Sequence, residues 1–295
     1  MVAGIHITHP ERVLFEDVGF TKEALARYYE SVAEWIVPEL KGRPLSLVRC
    51  PAGPGEGCFY QKHIDLRFPE VIERIAVVES GGEALYAGAS SIEAVVGLVQ
   101  MGVIELHVWG STVADLDKPD RMVFDLDPDP TVAWREVMAA ARDTHDRLTD
   151  LGLESFVKTS GGKGLHVAVP LTRRHDWDEI KSFSRAVAEA MADDEPKRFV
   201  ARMAKRERSG RIFIDYLRNA PGSTTIAAYS VRARPNAPVS TPLHWDELGG
   251  RLKPDSFHAG NIARRLRGLR SDPWKTFRRA PQNVTASMRQ KLGIA

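Results

Sequence analysis

The first periodic stretch of the chain places apolar residues at the spacing of a helix. Its apolar face consists of Leu25, Tyr28, Tyr29, Val32 and Ile36. Thr21 can cap the start of this helix, and Pro38 with Gly42 is expected to end it. Helical spacing returns in four further segments, which are 91–101, 132–150, 177–193 and the basic segment 261–269.

Between these helices, short apolar runs bounded by Gly, Pro and Asp indicate strands. The predicted strands are 45–49, 59–62, 75–79, 84–86, 103–109, 121–126, 154–159, 165–169, 211–217 and 225–230. This mixture of hairpins and crossover helices predicts an α/β (α+β) fold with mixed or antiparallel sheets flanked by helices. A module up to about residue 115 is expected to pack on a second module, and no obvious linker separates them.

One predicted strand, in the segment RMVFDLDPDP (121–130), ends in two carboxylates. Residues two apart on a strand point to the same face with Cα atoms about 6.5 Å apart, so Asp125 and Asp127 lie side by side, opposite the apolar face. A hard divalent cation would relieve their repulsion. The alternative is an ordinary Asp/Pro turn, and sugar-nucleotide transferases also carry this D-x-D pattern.

A third carboxylate, Asp215 in RIFIDYL, lies inside another apolar strand. It can complete a metal site, or it can simply pair with one of the nearby arginines. The segment KTSGGKGLHVAVP (158–170) is not a P-loop, because a strand rather than a helix follows its glycines. It predicts a strand–turn–strand unit whose Ser160 and glycine amides could bind an anion, with His166 on the next strand. A plain glycine hairpin is the other interpretation.

Charge is unevenly distributed, although the net charge is only +2. Residues 251–295 hold 11 Lys and Arg against 2 Asp and Glu, which fits a phosphate-rich partner such as nucleic acid. A solvated, Arg-rich helix face is an equally good interpretation of the charge alone. Arg232 and Arg234 in TTIAAYSVRAR are expected on one face of a strand, where arginine forks suit phosphate oxygens.

The chain shows no apolar run that could span a membrane and no secretion signal. Cys50 and Cys58 lack the spacing of a zinc site, and we expect reduced thiols of a cytosolic protein, or at most a chance pair.

The order of these segments is more specific than any one of them. FDLDP, SGGKGLH, FIDY and TTIAAYSVRAR, preceded by HPERVLF, GFTKEALARYY, GRPLSLVRCP, CFYQKH and IELHVW, closely resemble the polymerase domain of bacterial ATP-dependent DNA ligase D. That family has the archaeo-eukaryotic primase fold. The resemblance implies one primase–polymerase domain over residues 1–295, with submodules 1–115 and 116–295, the second being RRM-like and catalytic with a basic helical C-terminus.

The resemblance also implies roles for individual residues. The metal-binding carboxylates would be Asp125, Asp127 and Asp215, holding two Mn²⁺ or Mg²⁺ ions. Nucleotide contacts would come from Ser160, Lys163, His166, His107, Arg232 and Arg234. A DNA 5′-phosphate would be gripped by Arg12 and Lys22, and the template would stack on Phe59 and Tyr60. Without the resemblance, both aromatic residues would be taken for core positions.

The function implied is gap filling and end extension in nonhomologous end joining, by a two-metal nucleotidyltransferase that favours ribonucleotides. Its expected partners are DNA gaps and ends with a 5′-phosphate, NTPs or dNTPs, the Ku end-binding protein, and ligase and phosphoesterase domains. It would act in the cytoplasm, at the nucleoid. No K-x-D-G motif of a ligase is present. The alternatives are a replicative-type primase and a non-catalytic scaffold that binds DNA ends.

Overall fold

The computed structural model of the protein describes residues 1–51, 53–54, 57–279 and 282–294. Its contacts divide the chain into two compact units. Unit 1 comprises Met1–Ala114, Thr224–Thr241 and Asp255–Leu269, and unit 2 comprises Asp115–Ser223, Pro242–Pro254 and Arg270–Ala295. Two segments beyond residue 223 therefore pack within unit 1. The submodules 1–115 and 116–295 stay a prediction from the sequence.

Helices and strands are interspersed along the chain. The helices are α1 (Lys22–Ser31), α2 (Ala33–Leu40), α3 (Ile92–Gln100), α4 (Trp134–Leu151), α5 (Trp177–Asp194), α6 (Ile262–Gly268) and α7 (Ala286–Lys291). The strands are β1 (Val13–Phe15), β2 (Phe20–Thr21), β3 (Leu45–Arg49), β4 (Phe59–Gln61), β5 (Glu73–Glu79), β6 (Gly82–Gly88), β7 (Val103–Trp109), β8 (Arg121–Pro128), β9 (Phe156–Thr159), β10 (Leu165–Pro170), β11 (Phe199–Val200), β12 (Ile212–Asp215), β13 (Thr224–Ile226) and β14 (Pro242–Leu243). No helix in the described ranges is long and apolar enough to cross a membrane.

Unit 2 contains a six-stranded sheet in the order β11-β12-β8-β10-β9-β14. All neighbouring pairs are antiparallel except β11 with β12. Met122, Phe124 and Leu126 on the central strand β8 are fully buried, as their alternation predicts. This mixed sheet confirms the predicted α+β class and supports the carboxylates described below.

Unit 1 contains a second sheet in the order β13-β7-β3-β6-β5, with β4 paired to β3. β3 and β7 have the bounds that the sequence predicts. Helix α3 begins after Ser91, whose side chain accepts a hydrogen bond from the Ala94 amide, and Thr21 caps α1 in the same way through Ala24. One large hydrophobic cluster forms the core of this unit.

The prediction of one helix from Thr21 through Ile36 is wrong. The backbone leaves helical geometry at Val32 (φ −112°, ψ 16°) and a second helix, α2, starts at the next residue. Pro38 lies inside α2 instead of ending the first helix. Val32 and Ile36 are nevertheless both fully buried, so apolar spacing predicted burial correctly although the backbone breaks between turns.

The predicted strand 225–230 is also wrong beyond Ile226, where β13 ends. Tyr229 adopts a positive φ of 67°, which interrupts extended backbone. Its ring is buried and its backbone carbonyl accepts a hydrogen bond from the Tyr28 hydroxyl at 2.7 Å. Tertiary packing thus holds this segment in a turn that its β-favouring composition does not predict.

The expectation of two reduced thiols is wrong as well, because Cys50 and Cys58 form a disulfide with Cα atoms 4.3 Å apart. Cys50 follows the last residue of β3 and Cys58 precedes the first residue of β4. Arg49 pairs with Phe59 across these two antiparallel strands. The next residues outward therefore fall opposite each other, which brings the two sulfur atoms together.

Candidate active site

Three carboxylates lie on one face of the sheet in unit 2. Asp125 and Asp127 alternate with the buried residues of β8, and their side chains are 19% and 38% exposed. Asp215 on β12 pairs directly with Asp125 on β8. Directly paired residues on antiparallel strands point to the same face. The structure therefore places the three predicted metal ligands on one face of the sheet, and β8 extends through both aspartates to Pro128.

The pairing continues across two more strands. His166 on β10 pairs with Asp125 on one side and with Lys158 on β9 on the other. The resulting row across four strands is Asp215, Asp125, His166 and Lys158. Together with Asp127, which lies on the same face, it is called the carboxylate row here. The His166 Nε2 atom lies 3.4 Å from the Asp125 Oδ1 atom. Lys158 was missed in the sequence, although strand alternation places it on the same face as Ser160.

Protein cations surround these carboxylates. The Arg218 Nε atom lies 3.1 Å from Asp215 Oδ2 and 3.6 Å from Asp125 Oδ2. Asp127 is contacted by Lys163 Nζ at 3.1 Å and by Arg208 Nη1 at 3.3 Å. The pairing of Asp215 with a nearby arginine, one of the two interpretations left open by the sequence, is therefore present.

The two paired carboxyl groups have opposite pKa shifts. Burial would raise the pKa of Asp125, but His166, Arg218 and Lys158 together hold it well below its usual value. Burial raises the pKa of Asp215, and the neighbouring Asp125 charge adds to this although Arg218 opposes it. Two carboxylates this close repel each other when both are ionised, so one of them tends to remain protonated unless further positive charge is present. The pair is consequently a place where added positive charge is stabilised.

The chemistry of these oxygen donors fits a hard divalent cation such as Mg²⁺ or Mn²⁺. Among the residues that the structure describes, no three His, Cys, Asp or Glu side chains are grouped closely enough to hold one metal ion. Arg218 lies between Asp125 and Asp215, and two other cations hold Asp127. A metal would thus be held by carboxylates that first exchange their protein partners.

The glycine loop beside this row is the predicted strand–turn–strand unit, since β9 and β10 pair antiparallel. The Ser160 hydroxyl donates to the Gly164 carbonyl at 2.9 Å and accepts from the Gly162 and Gly164 amides at 3.2 and 3.3 Å. Two of the amides expected to bind an anion are therefore engaged within the loop. A Cβ atom on Gly164 would lie 2.4 Å from the Leu126 carbonyl oxygen, so the loop packs closely on β8.

Lys163 extends from this loop toward β8. Its ammonium donates to the Pro128 carbonyl at 2.6 Å and contacts Asp127, while its side chain remains 49% exposed. Asp129 follows the last residue of β8, Pro128, and accepts a hydrogen bond from the Thr131 amide at 3.0 Å. Lys163 is thus a half-exposed cation that contacts both a backbone carbonyl and a carboxylate at the end of β8.

Three other predicted nucleotide contacts, His107, Arg232 and Arg234, belong to unit 1. His107 Nε2 lies 2.8 Å from Glu105 Oε2, and Arg232 Nε lies 3.0 Å from the same oxygen. The Ala233 amide donates to Glu105 Oε1 at 2.8 Å. The expectation of Arg232 and Arg234 on one strand face is wrong, because the Arg234 amide donates to the Arg232 carbonyl at 2.8 Å in a tight turn.

Glu105 was not singled out in the sequence, although it lies two residues before His107 on β7 and so shares its face. Its side chain is only 7% exposed. Burial would raise its pKa, but the hydrogen bond from His107 and the charge of Arg232 lower the pKa to about 2. A buried, ionised carboxylate therefore orients both an imidazole and a guanidinium.

Unit 1 also contains a cleft of about 200 Å³, called the basic cleft here. Its lining residues are Arg12, Leu14, Lys22, Arg49, Cys50, Pro51, Val99, Gln100, Met101 and Gly102. The structure thus brings together Arg12 and Lys22, the two residues expected to grip a phosphate. Burial lowers the pKa of Lys22, and the charge of Arg12 lowers it further.

The aromatic pair on β4 is exposed, with Phe59 at 45% and Tyr60 at 49%. The interpretation of both as core residues is therefore wrong, and the surface position that the resemblance requires is present. The Tyr60 hydroxyl lies 2.7 Å from Thr224 Oγ1, and its ring packs edge-on against His107 at 5.8 Å. Among the residues that the structure describes, β4 pairs with β3 alone, at the edge of the sheet.

Comparisons with known proteins agree with this architecture. The multifunctional non-homologous end joining protein LigD of Pseudomonas aeruginosa is 42% identical over 99% of this chain, which covers 35% of that protein. The bifunctional LigD of Bacillus subtilis is 26% identical over 96% of this chain and 46% of its own length. The chain spans less than half the length of these relatives.

A solved structure, the polymerase domain from Mycobacterium tuberculosis ligase D in complex with DNA, superposes with a TM-score of 0.87 and 29% identity. The match covers 94% of this chain and 99% of the solved one. The family model of the LigD primase-polymerase domain matches residues 21–274. The chain therefore belongs to the LigD primase-polymerase domain family, whose members are nucleotidyltransferases.

Proposed function

We propose that this chain extends DNA strands at gaps and ends during nonhomologous end joining, by transferring a nucleotidyl group to a primer 3′-hydroxyl. The observation that carries this proposal is the carboxylate row, with three carboxylates on one sheet face beside Lys163 and His166. Membership in the LigD primase-polymerase family supports the reaction class. The relative solved with DNA supports a nucleic-acid partner.

Asp125, Asp127 and Asp215 would hold two Mn²⁺ or Mg²⁺ ions. When bound, such ions lower the pKa of a hydroxyl nucleophile and neutralise the charge of a triphosphate. The Lys163 side chain is half exposed and its ammonium contacts Asp127. This ammonium would exchange the carboxylate for a phosphate oxygen when a triphosphate binds. His166 contacts Asp125 and would donate to a phosphate oxygen while fixing that carboxylate. Ser160 holds the turn between β9 and β10 closed.

In unit 1, the basic cleft would hold the 5′-phosphate at the far side of a gap, and Phe59 with Tyr60 would stack on template bases. The assignments of His107, Arg232 and Arg234 to the nucleotide stay predictions from the family resemblance. The preference for ribonucleotides, the partnership with Ku and with ligase and phosphoesterase domains, and action in the cytoplasm at the nucleoid are parts of the same proposal.

The proposal is tested with gapped DNA that carries a 5′-phosphate, incubated with Mn²⁺ and labelled nucleotides. We expect templated extension of the primer, and competition between NTPs and dNTPs measures the sugar preference. Addition of Ku should increase extension at DNA ends. Binding without extension would contradict the proposal and favour the end-binding scaffold, while synthesis without any primer would favour a replicative-type primase.

A further inference from the structure

The basic cleft contains a third cation, Arg49, at the last position of β3. Arg12, Lys22 and Arg49 all line a space of about 200 Å³, and none of the described residues that line it is Asp or Glu. Like charges gathered in a partly buried space repel one another unless an anion joins them. The cleft therefore has the charge and size to accept a single anionic group.

Lys22 has little hydrogen-bonding capacity left for such an anion. Its ammonium donates to the Thr8 carbonyl at 3.1 Å, to the Gln100 carbonyl at 3.0 Å and to Gln100 Oε1 at 2.9 Å. An ammonium has three N–H donors, so these contacts use them all. Lys22 thus supplies positive charge to the cleft, and the hydrogen bonds to an anion have to come from other residues.

The guanidinium of Arg49 is held in place but only partly used. Its Nε atom donates to the Met101 carbonyl at 2.9 Å, and Nη1 donates to Gln61 Oε1 at 2.9 Å. Within the described ranges, no residue accepts a hydrogen bond from Nη2. Arg12 likewise uses Nη1 for the Pro51 carbonyl at 2.8 Å. Two fixed guanidinium groups in the cleft therefore keep N–H donors for a ligand.

Aromatic rings fix the plane of Arg49 further. Its Cζ atom lies 5.4 Å from the centre of the Phe59 ring and 5.5 Å from that of Phe68. Contacts of this length fall within the range of cation–π attraction. Arg49 is consequently shared between the basic cleft and Phe59, which is exposed on β4.

We propose that Arg49 is a third phosphate-binding residue of the basic cleft, donating from Nη2 to a phosphate oxygen beside Arg12. Lys22 contributes charge to the same anion. This inference rests on the proposed function only in naming the anion as the 5′-phosphate of a DNA gap. Since Arg49 also lies over Phe59, a bound phosphate and that ring would be linked through one side chain.

Binding of gapped DNA with a 5′-phosphate is compared with binding of the same DNA with a 5′-hydroxyl, by fluorescence anisotropy at one fixed salt concentration. The variants are Arg49→Gln, Arg49→Lys and, for comparison, Arg12→Gln. The matched control is Arg27→Gln, because Arg27 is an exposed arginine of unit 1 that pairs with Glu23 outside the cleft. Thermal melting of each variant reports on folding.

We expect Arg49→Gln to reduce the preference for the 5′-phosphate by about tenfold, as for loss of one charge-assisted hydrogen bond. Arg49→Lys should lose less of the preference, and Arg27→Gln none. A folded Arg49→Gln protein that keeps the wild-type preference, while Arg12→Gln loses it, would overturn the proposal. If Arg49→Gln does not fold, a wild-type preference in Arg49→Lys overturns it instead.

Primer extension by the wild type separates this inference from the proposed function. Extension without any preference for the 5′-phosphate overturns the phosphate assignment of the cleft, Arg49 included, and leaves the polymerase proposal standing. A phosphate preference without extension overturns the polymerase proposal, and the Arg49 comparison remains decisive because it measures binding alone.

Discussion

The carboxylate row of unit 2 and the basic cleft of unit 1 handle charge in opposite ways. Asp125, Asp127 and Asp215 are surrounded by cations from the protein itself, two of which, Lys163 and Arg218, have side chains that are 49% and 44% exposed. The basic cleft gathers three cations, and none of its described lining residues is a carboxylate. In the first region, cations of the protein itself neutralise the carboxylates, whereas none of the described residues that line the cleft neutralises its three cations.

This difference indicates how each region meets a charged ligand. An exposed ion pair such as Lys163–Asp127 is worth little, about 0–1 kcal/mol, so this partner of Asp127 can be exchanged for a more strongly charged cation at small cost. The basic cleft gains from any anion of the right size, since its charges are close together and partly desolvated. The two regions are thus distinguished by whether the protein's own side chains neutralise their charge.

The largest effect is expected in the carboxylate row. Asp125→Asn keeps the shape of the side chain but removes a charge that His166 and Arg218 contact. Nucleotide addition should fall at least about 1,000-fold because cation binding and transition-state neutralisation are both lost. Single-turnover primer extension measures this loss, and DNA binding should stay within a fewfold of the wild type.

Asp129→Asn is the matched control, because Asp129 follows the end of β8 and its carboxylate accepts hydrogen bonds from Thr131. Equal losses in both variants would indicate a general charge effect and remove the distinction between the row and its surroundings.

Glu105 differs from both regions, because it is a buried carboxylate with fixed partners and its charge is expected to affect the free energy of unfolding. Glu105→Gln removes a charge held by His107 and Arg232, and we expect the free energy of unfolding at neutral pH to fall by about 3 kcal/mol. The folded pKa of Glu105 is depressed, so this contribution is present above the ordinary pKa near 4.5 and is lost as pH falls toward about 2. Urea unfolding of both proteins at several pH values measures the difference.

The gap in stability between wild type and Glu105→Gln should therefore narrow below pH about 4.5. Other carboxylates titrate equally in both proteins and cancel in this comparison. A gap that stays constant down to pH about 2 would show that Glu105 acts through packing instead of charge.

The smallest effect concerns the basic cleft. Arg12→Ala combined with Lys22→Ala should reduce the preference for a 5′-phosphorylated gap by about 10- to 100-fold, while extension of a simple primer–template is spared. Gap filling with 5′-phosphate and 5′-hydroxyl DNA measures the ratio, and Arg27→Ala is the control. Equal losses on both DNAs would mean that the cleft contributes only general attraction for nucleic acid.

Part of this site was predictable because strand alternation is local. The period of two in RMVFDLDPDP correctly placed Asp125 and Asp127 on the face opposite the fully buried Phe124 and Leu126. The bounds of β3 and β7 followed from apolar runs between turn residues. The family resemblance, carried by motif order, indicated Asp215 as the third carboxylate and Phe59 as an exposed aromatic residue.

Other features depended on contacts between residues that are far apart in sequence. Arg218 joining Asp125 and Asp215 depends on the pairing of β12 with β8. The disulfide between Cys50 and Cys58 depends on the register of β3 with β4. Neither register is visible in a hydrophobic pattern, because a pattern states which face a side chain takes and not which residue lies opposite.

By itself, the sequence determined the faces of the strands, the fold class and, through its ordered motifs, the family. The tertiary structure alone decided the partners: the turn that holds Arg232 beside Glu105, the row that adds Lys158, and the hydrogen bonds that use up Lys22 and leave donors on Arg49. The reason is physical, since periodicity follows from the local geometry of one strand, whereas charge neutralisation depends on which distant side chains folding brings within a few ångströms.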